Sequence, residues 1–177
     1  MNRSDSTAPT VRPATPADAP ALGRLGALLV RTHYEFDSQR FIAPTPWTER
    51  GYASFLAGQI GAPNTVLLVA EREGEVAGYT YAVLEETDFM MLRGPAGVLH
   101  DIVVDPAYRR QGVGRTLLDA TLVELAALGA PRVVLSTAER NDAAQRLFAD
   151  VGFRRTMVEM TRETADSAES SGRGEST

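Results

Sequence analysis

A short run of arginines and glycines lies between a strand pattern and a helix pattern near the middle of the chain. Residues 98–104 are typical of a buried strand, Asp105 and Pro106 begin a turn, and a helix pattern starts at about Gly112. The first turn of a helix leaves its N–H groups without helical acceptors, and those groups favour an anion. The sequence therefore predicts a phosphate-binding loop that consists of Arg109, Arg110, Gln111, Gly112, Val113, Gly114 and Arg115.

Two common nucleotide-binding motifs are excluded at single positions of this loop. A P-loop has a glycine five positions before Gly114 and a lysine directly after it, whereas this chain has Arg109 and Arg115 there. A dinucleotide-binding fingerprint has a third glycine three positions after Gly114, where this chain has Leu117. The loop therefore matches neither type.

The other predicted elements form a mixed α/β domain around the strand and helix that flank this loop. Thr15 and Pro16 begin the first helix as N-cap and first helical residue, and a hairpin turn is predicted at Glu73 and Gly74. The predicted strands are 11–12, 65–70, 76–85, 98–104, 133–136 and 153–162. Since helices alternate with strands after the antiparallel run, one central sheet is expected.

Composition and charge limit the classes of protein and of partner. With 177 residues, 44% of them hydrophobic, the chain suits one domain, predicted at 11–163 between disordered tails at 1–10 and 164–177. The net charge of -5 argues against a nucleic-acid or anionic-membrane binder. The absence of cysteine excludes disulfides, thiolate metal sites and a cysteine nucleophile. Without a signal-peptide core or an apolar run of ~18 residues, a soluble cytoplasmic protein is expected.

The loop is part of a longer pattern that extends over most of the chain. It combines R-x-x-G-x-G with a preceding V-D-P, and Tyr108 follows that proline by two residues. Further matching segments are V-R-P-A-T-P-A-D near the start, and N-D-A-A-Q-R-L-F and G-F-R-R near the end. From Val11 to Glu163 the chain resembles the GNAT acyltransferase superfamily. The resemblance implies an α/β fold with a single mixed, mostly antiparallel central sheet, flanked by helices and splayed between the fourth and fifth core strands.

The resemblance also implies an N-acetyltransferase that uses acetyl-CoA as co-substrate and needs no metal. In such a protein Gly112 and Gly114 would let the backbone N–H groups of residues 111–115 approach the pyrophosphate. The side chains of Arg109, Arg110 and Arg115 would supply the positive field for the phosphate charges of coenzyme A.

The strand before the loop has a further role in this superfamily. It bulges and separates from the following strand, here 133–136, and pantetheine lies in the gap against the backbone of Ile102, Val103 and Val104. An N–H group there would polarise the thioester carbonyl. Asn141 matches the asparagine that contacts the cofactor, although an ordinary helix N-cap is an equally good interpretation.

The chemistry implied by the resemblance is direct attack of a neutral amine on acetyl-CoA. An aliphatic ammonium with a pKa near ~10 must first lose a proton. His100 is the candidate general base, since a histidine with a pKa near ~6.5 accepts a proton at neutral pH. A packed or hydrogen-bonded sheet residue is the alternative interpretation of His100. Asp101 is a weaker candidate, because alternation places neighbouring side chains on opposite faces unless a bulge intervenes.

Phe148 departs from the superfamily pattern. It occupies the position of the tyrosine that, in many members, protonates the departing thiolate, and phenylalanine has no proton to donate. Water, or a hydroxyl of Tyr79, Tyr81 or Tyr108, would then serve, with water favoured. The same departure motivates an alternative function, that of a non-catalytic acyl-CoA-binding regulatory module.

The acceptor is expected to be an amine of a small molecule or of a peptide. In the superfamily the first two helices and the loop before the central strand recognise it, which here include Trp47, Tyr52 and residues 33–37 and 89–92. Acidic residues in these loops could attract a cationic amine, or could simply be solvated surface. The sequence leaves the oligomeric state open, although dimers are frequent in the superfamily and the last predicted strand could pair or swap between the subunits of a homodimer.

Overall fold

The structure is a computed structural model that describes residues 8–164. Its elements, in chain order, are β1 (Thr10–Pro13), α1 (Ala19–Phe36), α2 (Thr48–Gln59), β2 (Thr65–Arg72), β3 (Glu75–Glu85), β4 (Ala96–Val104), α3 (Val113–Ala127), β5 (Val133–Leu135) and α4 (Asp142–Asp150). Most of the two predicted disordered tails lies outside the described residues, and β1 begins at Thr10, inside the tail predicted for the N-terminus. None of the helices in this part of the chain is long and apolar enough to cross a membrane.

The strands form one sheet in the order β1-β2-β3-β4-β5. β1 to β4 are antiparallel neighbours, whereas β5 is parallel to β4 and follows the α3 crossover. A parallel neighbour needs such a crossover because the chain must return to the same end of the sheet. The predicted fold class, a mixed and mostly antiparallel sheet with flanking helices, is confirmed.

The sheet opens between β4 and β5. β5 pairs with Gly97, Val98 and Leu99, so residues 100–104 continue as a strand whose other edge has no strand partner among residues 8–164. The predicted splay between the fourth and fifth core strands is therefore confirmed. Backbone N–H and C=O groups along this open edge need other partners, which a ligand can provide.

The open part of β4 also contains a bulge, at His100. Leu99 pairs with Ala82, and Asp101 pairs with Tyr81, so His100 is one extra residue opposite two consecutive residues of β3. The resemblance implied a bulge in the strand that holds Ile102, Val103 and Val104, and β4 contains one. Residues 102 and 103 pair regularly with β3, and the irregularity lies just before them.

Helices cover both faces of the sheet, with α1 and α2 on one face and α3 on the other. The contact between α1 and α2 is close, since a Cβ on Gly26 would lie 2.1 Å from Cδ1 of Tyr52. A Cβ on Gly23 would likewise lie 2.6 Å from the carbonyl oxygen of Glu49. These two glycines therefore determine how near α2 lies to α1, and with it the position of the aromatic side chains on α2.

No sixth strand follows α4 within the described residues. The sequence predicted a strand at 153–162, but this segment pairs with no strand, and Met157 and Val158 are exposed. The prediction was wrong because strand-forming composition requires a partner edge, and β5 offers only three residues. Glu159 instead forms an ion pair with Arg40 in the α1–α2 connection.

Candidate active site

The loop between β4 and α3 has the backbone geometry of an anion site. Gly112 has φ +83° and Arg110 has φ +59°, so two left-handed positions turn the chain into α3. The helical hydrogen bonds of α3 begin with Thr116 N–H, which donates to Gly112 O at 3.0 Å. The amides of residues 113–115 therefore lie in the first turn without helical acceptors, where they suit a phosphate oxygen.

The arginines of the loop have different environments. Arg109 Nε donates to Val104 O at 3.2 Å, which connects the loop to the end of β4. Arg115 Nε lies 2.8 Å from Asp119 Oδ2, one turn further along α3, so a carboxylate offsets part of its positive charge. Arg110 is exposed and available to a ligand. Their roles as phosphate contacts stay predictions.

Sequence reasoning missed Arg72 at the end of β2. Its Nη1 donates to Gln111 O at 3.4 Å, and its Nε is buried without a hydrogen-bond partner among the described residues. A guanidinium beneath the loop adds positive charge to the anion site. The only sequence signal was a charged residue at a strand end, because 39 positions separate the two partners.

The two glycines of the loop are required for different reasons. Gly112 needs its left-handed φ, while a Cβ there would meet nothing within 4 Å. A Cβ on Gly114 would make ordinary contacts, 3.4 Å from Leu147 Cδ2 and 3.5 Å from Val104 Cγ2. Packing therefore permits a side chain at Gly114, and close approach by a ligand is the remaining reason for glycine. This observation, together with the free first-turn amides, fits the pyrophosphate of coenzyme A.

Asn141 is the N-cap of α4. Its Oδ1 accepts from Ala144 N–H at 3.2 Å, which confirms the N-cap interpretation. Contact between Asn141 and the cofactor stays a prediction, as does contact between pantetheine and Ile102, Val103 and Val104. Among residues 8–164 there is no cluster of three or more acidic or histidine side chains that could hold a metal ion.

A cavity of about 470 Å³ opens beside the splayed part of β4. Three elements contribute to its wall, α2, β3 and β4, and the lining residues are Gly51, Tyr52, Phe55, Tyr81, His100 and Asp101. Both candidate proton acceptors are thus in one cavity. The bulge is the reason, because the extra residue changes the alternation and brings His100 and Asp101 to the same face of the sheet.

Asp101 is partly buried, and no arginine among residues 8–164 forms an ion pair with it. Its Oδ2 accepts a hydrogen bond from the Tyr79 hydroxyl at 2.8 Å. Burial raises the pKa of Asp101 above its usual range, while the hydrogen bond from Tyr79 and the nearby His100 and His33 act in the opposite direction. A carboxyl group with a raised pKa is a better proton acceptor than an ordinary one.

His100 lies at the mouth of the cavity, with a side chain 40% exposed. Its ring stacks on Tyr81, with centroids 5.3 Å apart and an interplanar angle of 26°. Its Nε2 is 3.2 Å from Glu85 Oε1, and Glu85 Oε2 accepts from Arg93 Nη2 at 2.7 Å. His100 is therefore a hydrogen-bonded sheet residue that also faces the cavity, and its role as general base stays a prediction.

Two tyrosines add to the electrostatics of the cavity. Burial, and secondarily the charge of Asp101, raises the pKa of Tyr52 to about 12. The same two causes raise the pKa of Tyr79 strongly, so its hydroxyl stays protonated and donates to Asp101. The Tyr81 hydroxyl donates to Gln59 Oε1 at 3.3 Å. The contact between Tyr79 and Asp101 depends on the register of β3 and β4.

Phe148 belongs to the core and lies on α4. It is 6% exposed and contacts Phe153 edge to face, with ring centroids 5.8 Å apart. The ring of Phe148 therefore packs in the core, and it carries no hydroxyl that could donate a proton. Since Tyr79 and Tyr81 donate to other groups, they are poor candidates for the proton donor to the thiolate.

Comparison with known proteins places this geometry in a family. The model of the acetyltransferase (GNAT) family matches residues 30–153. The chain is 33% identical to the N-alpha-acetyltransferase RimI of Mycobacterium tuberculosis over 122 residues, which are 68% of this chain and 70% of that protein. It is 44% identical to the mycothiol acetyltransferase of Clavibacter michiganensis subsp. michiganensis over 124 residues, 64% of this chain but 39% of that protein.

Solved structures show the same fold at low sequence identity. The aminoglycoside N-acetyltransferase AAC(6')-Iy in complex with CoA superposes with a TM-score of 0.69 at 16% identity, over 93% of this chain and 100% of that one. The chain spans only about a third of the length of the mycothiol acetyltransferases that it matches, 31% in Thermobispora bispora. From the family match, which covers more than half of its length, the chain belongs to the GNAT acetyltransferase family.

Proposed function

We propose that this chain transfers the acetyl group of acetyl-CoA to the nitrogen of a primary amine. The observation that carries the proposal is the bulge at His100, which brings His100 and Asp101 into one cavity beside the open edge of β4. The family match, and the name of the RimI relative as an N-alpha-acetyltransferase, support acetyl transfer to an amine. A cytoplasmic location and a homodimer stay predictions.

The loop and the open strand edge would hold the co-substrate. First-turn amides of residues 113–115, with Arg109, Arg110 and Arg72, would bind the phosphates. Backbone groups of residues 102–104 would hydrogen-bond the pantetheine arm. Acetyl-CoA supplies an acetyl thioester, which is the electrophile of the reaction.

Asp101 would accept the proton of the incoming ammonium. Removing a proton from an amine with a pKa near ~10 at neutral pH costs about 4 kcal/mol. The raised pKa of Asp101 narrows the gap between proton donor and proton acceptor. This reverses the order of preference from the sequence, in which His100 came first. Tyr79 would orient the carboxylate through its 2.8 Å hydrogen bond.

His100 would pass the proton from the cavity to solvent. With Nε2 on Glu85 it has Nδ1 for a second partner, and its exposed edge contacts water. The attacking nitrogen loses its second proton as the thiolate departs, and, since Phe148 has no hydroxyl, water is the favoured proton donor to sulfur. The balance is one amide, one free thiol and one released proton for each ammonium consumed.

Release of free thiol from acetyl-CoA over a broad panel of primary amines tests the proposal. The chain contains 18 arginines and no lysine, so acetylation of its own lysine side chains cannot be the source of free thiol. We expect amine-dependent thiol release, and a raised unfolding midpoint with acetyl-CoA alone, since a ligand of the folded state stabilises it. A raised midpoint without thiol release from any amine would contradict acetyl transfer.

A further inference from the structure

We infer that the acceptor is a monoammonium on an apolar body, with its charge at Asp101 and its body along an adjoining apolar turn. We define the apolar turn as residues 88–93, between β3 and β4. The inference rests on the proposed function, because it assigns a substrate class to the same cavity. Three features of the described residues support it: the balance of charge, the aromatic wall and the exposed apolar side chains.

Asp101 is the carboxylate in the cavity lining, and the nearby groups that favour its charged form are Tyr79, His100 and His33, none of them an arginine. Two carboxylates lie near its wall, and Glu85 is already paired with Arg93 at 2.7 Å. Asp101 has the Tyr79 hydroxyl, which is neutral, and no arginine partner within residues 8–164. A buried carboxylate without a cation is costly, and an ammonium group removes that cost. One such acid suits one positive charge, whereas a polycation would leave its other charges without partners.

Aromatic rings form the wall around that acid. Phe55 is 51% exposed and contacts Tyr81 edge to face, with ring centroids 5.6 Å apart, and His100 stacks on the same tyrosine. Ring faces attract ammonium groups and methylene groups alike. Covering the exposed part of Phe55 with an apolar body next to the charge would remove apolar surface from water and stabilise the complex.

The apolar turn extends this surface beyond the cavity. Its four consecutive apolar side chains are from 50% to 93% exposed, namely Phe89, Met90, Met91 and Leu92. Asp88 holds the turn in shape, since Oδ1 accepts from Met90 N–H at 2.9 Å and from Met91 N–H at 3.0 Å. A preformed surface of this kind indicates a binding partner.

Glu85 joins the apolar turn to the cavity. Its carboxylate contacts Arg93, at the base of the turn, and His100, in the cavity wall. The turn is thereby attached at the mouth of the cavity and not at a distant surface. An acceptor with its nitrogen at Asp101 would extend out of the cavity through its mouth, and its apolar part would contact the apolar turn.

Equilibrium binding without acetyl-CoA tests the charge and the body together. Calorimetry would compare 4-phenylbutylamine, its neutral analogue 4-phenylbutanol, and the triamine spermidine. We expect the monoamine to bind about tenfold more tightly than the alcohol, because the ring faces and Asp101 both stabilise the ammonium charge. Equal affinity for the alcohol, or tighter binding of spermidine, would overturn the inference.

Paired variants assign the effect to the two surfaces. Phe55→Leu keeps apolar area but loses the ring face, so we expect 4-phenylbutylamine to bind about threefold more weakly than to the unmodified protein. Leu92→Ser should weaken the same amine, whereas Val123→Ser, on the exposed side of α3, should not. Equal effects of the two serine variants would overturn the role of the turn.

Thiol release separates failure of this inference from failure of the proposed function. If acetyl-CoA loses its acetyl group to polyamines but not to apolar monoamines, acetyl transfer stands and the acceptor class is wrong. If 4-phenylbutylamine binds as expected but no amine releases thiol, the acceptor class stands and acetyl transfer is wrong.

Discussion

The proposed cofactor side and the proposed acceptor side of this protein are built in opposite ways. The anion loop and its helix are continuous in the chain, and the groups expected to bind are mainly backbone amides of residues 113–115. The acceptor cavity collects side chains from α2, β3 and β4, which are separated by tens of residues. The first site depends on local backbone conformation, and the second depends on strand register and helix packing.

This difference explains how each side tolerates change. A backbone site requires a few residues with particular φ values, and neighbouring side chains can vary. A side-chain site requires each group to stay within hydrogen-bonding reach, as Tyr79 and Asp101 do at 2.8 Å. Single substitutions on each side of the molecule test that contrast.

Gly112→Asp should abolish acetyl-CoA binding. Like charges about 4 Å apart cost about 4 kcal/mol at an effective dielectric constant of 20, which corresponds to about a thousandfold loss of affinity. Acetyl-CoA titration by calorimetry measures the loss. Gly61→Asp is the matched control, because Gly61 has φ +71° and open space around a Cβ but lies at the end of α2. Similar losses in both variants would show that backbone strain, and not repulsion of phosphate, is responsible.

Asp101→Asn should lower kcat/KM by about a hundredfold or more, the usual size of a general-base contribution. Acetyl-CoA affinity should be unchanged, since the cofactor side does not use this side chain. In the unmodified protein the rate should rise with pH as Asp101 ionises, and the variant should lack that rise. A rate profile that keeps the rise would assign the base to another group.

The same variant should unfold at a higher temperature at neutral pH. Burial raises the pKa of Asp101 in the folded state, so ionisation of this group costs folding free energy above that pKa. Asparagine does not ionise, so the variant avoids this loss of folding free energy. Its higher stability should disappear in acid, below the pKa of an unfolded aspartate. Unfolding midpoints measured at both pH values check the sign, and a less stable variant at neutral pH would contradict it.

His100→Ala should spare acetyl-CoA binding and lower turnover by about tenfold, less than the ~10²–10⁴ expected for the base itself. Solvent can replace a proton relay in part, whereas it cannot replace a buried acceptor. Steady-state kinetics with the preferred amine, over a range of pH, measure the effect. Full activity with an unchanged pH profile would remove His100 from the mechanism.

Gly26→Ala and Gly114→Ala compare one added methyl group on the two sides. The methyl group at Gly26 would lie 2.1 Å from the Tyr52 ring and should cost about 1–3 kcal/mol of unfolding free energy. The methyl group at Gly114 would meet ordinary contacts at 3.4 Å, so stability should change little while acetyl-CoA binds more weakly. Denaturant unfolding and calorimetry separate the two, and a destabilised Gly114→Ala would contradict the ligand-based reason for that glycine.

Local signals allowed much of the fold to be predicted. The hairpin turn at Glu73 and Gly74 has the left-handed φ values, +55° and +83°, that this turn chemistry requires. The beginning of α3 at Gly112 likewise depends on a left-handed φ value at a single residue. The strand predicted at 153–162 did not form because β5, the strand beside which it would pair, offers only three residues. Strand formation is a pairing event, so a local pattern alone does not determine it.

The amino-acid sequence by itself determined the backbone of the proposed anion loop, residues 109–115, because φ values and first-turn amides depend on near neighbours in the chain. Only the tertiary structure decided that Asp101, and not His100 alone, faces the acceptor cavity. The alternation rule placed these two side chains on opposite faces, and the bulge at His100 brought them to the same one. A bulge arises from the register between β3 and β4, which is a relation between distant segments that neither segment carries alone.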